Sequence, residues 1–124
     1  MLLTLQMNEE LTENMDYPPE GMTRVEAMRP LEEGFEPGPH DVICGRGRAP
    51  KQHEGNLRYK RIIEANLPRY QQATCKLDKT MIVSWIVDAV RRASPYGGFV
   101  RKEGDRWYEV GDHIAREKTG QTYV

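Results

Sequence analysis

The sequence predicts a compact α+β domain, with three to four helices around a buried long helix plus a β-hairpin, in a winged-helix-like order. Three observations carry that expectation. Residues 79–93 hold apolar side chains at helical spacing over an unusually wide sector. Two short β-prone runs, Phe99-Val100-Arg101 and Trp107-Tyr108-Glu109-Val110, flank a loop containing Gly104. Charge divides the rest. Residues 1–38 hold two basic and nine acidic residues, a balance of −7, and residues 39–124 hold sixteen and ten, a balance of +6, giving the net −1 of the 124-residue chain. A near-neutral total thus conceals an acidic tail, residues 1–38, joined to a basic domain, residues 39–124.

The tail is rich in Glu and holds four of the eight prolines (Pro18, Pro19, Pro30 and Pro37), so it reads as largely disordered. Its first residues, MLLTLQM, are too short and lack the basic leader of a secretory signal, and no run approaches the roughly 18 apolar residues of a membrane span. Cys44 and Cys75 are then expected as free thiols in a reducing compartment, nuclear or cytoplasmic. They lack histidines at ligand spacing, so no metal or other cofactor is expected.

Within the domain, Val42 to Cys44 is a short strand ended by Gly45 and Gly47. The loop Arg46 to Glu54 has no apolar period. Asn56 is a natural N-cap for a helix to about Leu67, where Tyr59, Ile62, Ile63 and Leu67 recur at helical spacing. Pro68 ends or kinks that helix, and Arg69 to Lys76 continue as a short piece. Asp78 caps the long helix, Lys79 to about Ala93, whose Ile82, Trp85, Ile86, Ala89, Val90 and Ala93 define one face. Trp85 is assigned to the core, and Trp107 rather than Tyr108 is the buried member of its strand. The Pro95-Tyr96-Gly97-Gly98 segment breaks the helix, the hairpin follows, and Asp112 caps a last helix from His113 to about Thr119.

The chemistry-bearing stretch is His40 to Arg61, HDVICGRGRAPKQHEGNLRYKR. Two glycines one residue apart mark a tight turn or a close backbone approach, and Arg46, Arg48, Lys51, Arg58, Lys60 and Arg61 crowd around it with Glu54 as the one acid among them. No Gly-Lys-Ser/Thr follows, which excludes a phosphate loop of the Walker type, and no strand-turn-helix unit surrounds it, which excludes a dinucleotide fingerprint. The candidate anion-binding residues are Gly45, Arg46, Gly47, Arg48, Lys51, Asn56, Arg58 and Arg61, with Arg101 and Lys102 of the hairpin extending the patch. A solvated helix face is the bland alternative. The helix in the recognition position of a winged helix, Lys79 to Ala93, offers few outward groups for base edges, so contact with a phosphate backbone is the expected mode. Cys44 ends an apolar run, His53 falls in a loop, and His113 falls in a first helical turn expected to face solvent. With no paired carboxylates, an enzyme is the least favoured class.

Several of these motifs occur together elsewhere. HDVICGRG, EGNLRYKRII, GGFV, WYEVGD and AREKTGQ, in that order over about residues 40–121, resemble a small family abundant in diatoms and catalogued as a domain of unknown function. That family usually carries further glycines after Gly-Arg-Gly, where this chain has Arg48-Ala49-Pro50. The resemblance implies a domain boundary and a motif map, and no mechanism. The residues themselves point to a non-enzymatic module that binds nucleic acid, chiefly DNA backbone, with an acidic protein partner as the alternative and the acidic tail competing for the basic surface.

Overall fold

The computed structural model describes residues 28–45 and 47–123. Most of the expected disordered tail, and Arg46, lie outside the described residues. The elements in chain order are β1 (Arg29–Pro30), β2 (Val42–Ile43), α1 (Arg48–Gln52), α2 (Glu54–Gln72), α3 (Lys76–Arg92), β3 (Phe99–Glu103), β4 (Arg106–Glu109) and α4 (Gly111–Thr122). This is a small α+β domain.

The four strands form one mixed sheet in the order β1-β4-β3-β2. β3 and β4 are the expected hairpin, antiparallel with Val100 opposite Glu109 and Glu103 opposite Arg106. They are not a projecting wing, because each has a further neighbour. β2 lies parallel to β3, Val42 opposite Phe99, and β1 lies antiparallel to β4, Pro30 opposite Tyr108. A parallel pair needs a crossover, and here α1, α2 and α3 together supply it.

β1 revises the tail. Residues 28–38 are counted as tail by charge, yet Met28 and Leu31 are buried at 4% and 3% exposure. The Leu31 N–H donates to the Trp107 carbonyl at 3.0 Å, and the Phe35 ring meets Trp107 edge-on at 6.3 Å. Successive strand residues face opposite ways. Met28, Phe99 and Val110 join the helical core, and Leu31 falls with Trp107 on the other side of the sheet. There the segment that follows β1 replaces a second layer of helices. Trp107 is half-buried beneath it rather than in the core, and Tyr108 packs against the core, the reverse of the expected choice.

The core joins Val42 and Phe99 of the sheet to Tyr59 and Ile63 of α2, Ile86 and Val90 of α3 and Ala115 of α4. α3 packs against both α2 and α4, but it is not buried all round. Ile82, Val83, Ile86, Val87 and Val90 are covered, whereas Trp85 is 48% exposed. Its wide apolar sector exceeds what two neighbouring helices cover, and Trp85 falls on the surplus.

Several helix boundaries depart from expectation: the expected loop after Gly47 holds the short α1, and α4 runs from Gly111 to Thr122 rather than from His113 to about Thr119. α2 runs through Pro68 to Gln72, since a proline one turn from the end removes a single donor and tertiary packing of Tyr70 holds the last turn. α3 starts at Lys76, with Cys75 in the cap position and Asp78 in the first turn, where its charge favours the helix N-terminus without a cap bond.

Candidate nucleic-acid interface and the junction that positions it

Asn56 does not cap a helix. It lies inside the first turns of α2, where its side-chain Oδ1 accepts from the Ile43 N–H at 2.8 Å and its Nδ2 donates to the Ile43 carbonyl at 2.9 Å. The primary amide thus imitates a neighbouring strand and closes the outer edge of β2. It is engaged within the domain and leaves the candidate binding set. Gly55 makes that approach possible, because a Cβ there would lie 2.8 Å from the Asp41 carbonyl carbon and closer still to its oxygen.

Asp41 and Glu109 hold the same junction from within. Asp41, 5% exposed, accepts from the Gly98 N–H through Oδ1 at 2.8 Å and from the Gly38 N–H through Oδ2 at 2.6 Å. Glu109, 7% exposed, accepts from the Phe99 N–H at 2.9 Å and the Gly111 N–H at 2.8 Å, and pairs with Arg91 at 3.1 Å. Arg91 also pairs with Asp112, whose carboxyl is held below its usual range chiefly by that hydrogen bond. Gly98 stands between the two carboxylates at φ 120, a conformation suited to glycine, and a Cβ there would meet Glu109. Burial of a carboxylate is tolerable when backbone N–H groups saturate its oxygens. The separated motifs HD, EGN, GGF and YEVGD therefore meet at one place, and their work there is structural.

From this junction the chain leads into the candidate site. Gly47, at φ 104, turns it into α1. Arg48 and Lys51 stand exposed on α1, Arg61 is exposed on α2, and Arg58 is half-buried. None of these four forms an ion pair with another described residue. Gly45 is exposed at the start of the loop. Arg101 joins this side: the Cys44 N–H donates to the Val100 carbonyl at 2.7 Å, and Arg101 and Lys118 both act on the Cys44 thiol. Arg101 is partly neutralised by Glu103 at 2.8 Å. Lys102, next along β3, points to the opposite face with Trp107. Arg106 is spent on the Leu31 carbonyl, at 2.9 Å from Nη2. Lys118 is the cation that the sequence reading missed. It reaches over the Tyr59 ring, 6.0 Å from the centroid, and only the α4 packing brings it there.

The remaining reactive groups are held in structural contacts. Burial pushes the Cys44 thiol up to about 11, against the lowering effect of Lys118 and Arg101, so it is protonated at neutral pH. His113 is not solvent-facing; it is 5% exposed, with Nε2 3.2 Å from Glu117. The His53 ring closes on the Gly38 carbonyl at 2.9 Å, which makes Nε2 the protonated nitrogen. Among the described residues no three or more His, Cys, Asp or Glu are grouped to hold a metal, and no helix is long and apolar enough to cross a membrane.

Fold and site together define a small α+β domain whose separated motifs build its frame and whose Arg48, Lys51 and Arg61 stand at the surface. Residues 41–123 match the family described as a domain of unknown function, DUF6824, and the chain belongs to that family. No curated protein and no solved structure matches it.

Proposed function

We propose that this domain is a non-enzymatic nucleic-acid-binding module that grips phosphate backbone through Gly45, Gly47, α1 and the exposed side of α2, with Arg101 and Lys118 as flanking contacts. One observation carries the proposal: Arg48, Lys51, Arg58 and Arg61, all within positions 48 to 61, have no acidic partner among the described residues. Cations left unpaired on a domain that neutralises Arg91 twice over are available to an external anion. A half-buried, protonated Cys44 agrees with a module that binds and does not react. Such a protein works inside the cell, in the nucleus or cytoplasm.

A second reading, a protein-interaction module for an acidic partner, would use the same cations, and Leu77, Met81 and Trp85, exposed in one stripe of α3, add the apolar surface a protein contact needs. Salt separates the two. Anisotropy of the full chain with random duplex and single-stranded oligonucleotides, from about 50 to 200 mM salt, should show affinity falling with a log–log slope near −0.9 per phosphate contact on duplex DNA. Arg48→Ala with Lys51→Ala should make that slope shallower by up to about 2. No binding at the lowest salt overturns the nucleic-acid reading.

A further inference from the structure

Residues 28–38 form a strap that runs from β1 across Trp107 and ends beside the basic helices at Gly38. Its outer end is held on β4. The Leu31 N–H donates to the Trp107 carbonyl at 3.0 Å, the Arg106 guanidinium donates to the Leu31 carbonyl at 3.2 and 2.9 Å, and the Phe35 ring meets Trp107. The intervening Glu32, Glu33, Gly34 and Glu36 are exposed. At Gly38 both main-chain groups are engaged. The N–H donates to Asp41 Oδ2 at 2.6 Å, and the carbonyl accepts from the Asp41 N–H at 3.2 Å and from His53 Nε2 at 2.9 Å.

His53 is where α1 ends and α2 begins. Its N–H donates to the Ala49 carbonyl at 3.1 Å, and its own carbonyl accepts from the Leu57 N–H at 3.0 Å. α1 is the element least able to stand alone. It has five residues, none of them buried, and no side-chain cap bond at Gly47. A helix this short does not persist in water on propensity alone. It packs against α2, and among the described residues the His53 ring makes the one side-chain hydrogen bond that ties residues 48–53 to another part of the domain.

We propose that His53 is a latch that couples the strap to α1. A strap seated on β4 fixes Gly38, the Gly38 carbonyl holds the His53 ring, and the ring fixes the end of α1 and with it the presentation of Arg48 and Lys51. Such coupling is reciprocal. An anion that orders α1 tightens the strap, and a partner that lifts the strap loosens α1. The latch is a property of the fold and stands whatever Arg48 and Lys51 bind.

The test is amide hydrogen exchange of the full chain, read residue by residue, with Ile86 and Val90 of α3 as the reference for global opening. His53→Ala should speed the Gly38 amide and the position-53 amide, corrected for its intrinsic rate, by about fivefold, the worth of one hydrogen bond. His53→Gln, which restores a donor near the place of Nε2, should recover most of that protection. Arg106→Ala loosens the strap at its outer end, away from His53. It should speed the Leu31, Gly38 and position-53 amides together while Ile86 and Val90 keep their rates. In the His53→Ala background it should still speed Leu31 and no longer move position 53. A position-53 amide that ignores Arg106→Ala while Leu31 speeds overturns the latch, and so does a response that survives His53→Ala. Phe35→Ala is a second way to loosen the strap. If neither variant speeds Leu31, or if Ile86 and Val90 speed in step with it, the strap does not open apart from the whole fold and the proposal falls. Oligonucleotide affinity is read separately: a chain that ignores DNA loses the nucleic-acid reading and retains the latch.

Discussion

Gly55→Ala should destabilise this protein, although the same exchange in an ordinary helix interior stabilises it by about 1 kcal/mol. The structure reverses the sign. A Cβ at position 55 would overlap the Asp41 carbonyl oxygen and lie 2.8 Å from its carbon and 3.0 Å from the Asp41 nitrogen. All three are backbone atoms, so no rotamer change relieves them. Either α2 moves outward or the chain entering β2 does. Overpacking of this kind costs about 1–3 kcal/mol. The shift also stretches both Asn56 bonds to Ile43, now 2.8 and 2.9 Å, at about 1 kcal/mol each. Set against the gain in propensity, the net loss is about 2–4 kcal/mol, or a melting point lower by roughly 10 °C or more for a domain of this size. Urea unfolding monitored by circular dichroism measures it, with Ala65→Gly on the exposed side of α2 as the calibrating loss of about 1 kcal/mol. A Gly55→Ala chain as stable as the wild type would refute the close approach, and with it the strand-mimicking role of Asn56.

Other expectations follow from the same frame. Asn56→Ala leaves the Ile43 N–H and carbonyl without partners and should cost about 2 kcal/mol in the same denaturation experiment. Arg91→Met strips the cation from Glu109, which retains its N–H donors, so a loss of about 2 kcal/mol is expected rather than the 3–5 of a fully isolated buried charge. Cys44 keeps its proton up to about 11 in the folded chain, whereas an unfolded thiol releases it near 9, so stability should fall as pH rises through that window, at no more than about 1.4 kcal/mol per pH unit. Cys44→Ala should remove that part of the alkaline slope. Thiol titration at pH 7.5 should find one fast group, the exposed Cys75, and one slower group, the half-buried Cys44, which speeds up on unfolding. A chain begun at residue 41 should lose β1 and uncover the β4 edge and Trp107; self-association on size exclusion is the expected outcome.

Much of the fold was legible because it is local. The hairpin, the long helix and the short β2 are written in periodicity and turn residues, which act over a few positions. Trp85 shows where that signal stops. Its spacing is that of a core residue, and only the positions of α2 and α4 decide that its side of α3 is uncovered. Asn56 sits where a cap would sit, but its partner, Ile43, lies across space. Residues 28–38 were hidden by composition, since a Glu-rich, proline-containing stretch can still bury Met28 and Leu31 if a sheet edge awaits it. Of the candidate site, Arg48, Lys51, Arg58 and Arg61 were visible as a charge run, and Lys118 was not, because tertiary packing alone brings it near Cys44.

The sheet is assembled from contacts of very different reach, and that difference sets an order of events during folding. β3 and β4 meet across a two-residue turn, and Asn56 finds Ile43 from 13 positions away. The junction that seats β2 on β3, where Asp41 receives the Gly98 N–H, spans 57. Closing the longer loop costs about 1.3 kcal/mol more in chain entropy. β2 should thus be held first by a side chain on a helix and acquire its strand neighbour afterwards. A change at Asn56 should mainly slow folding, and a change at Asp41 should mainly speed unfolding.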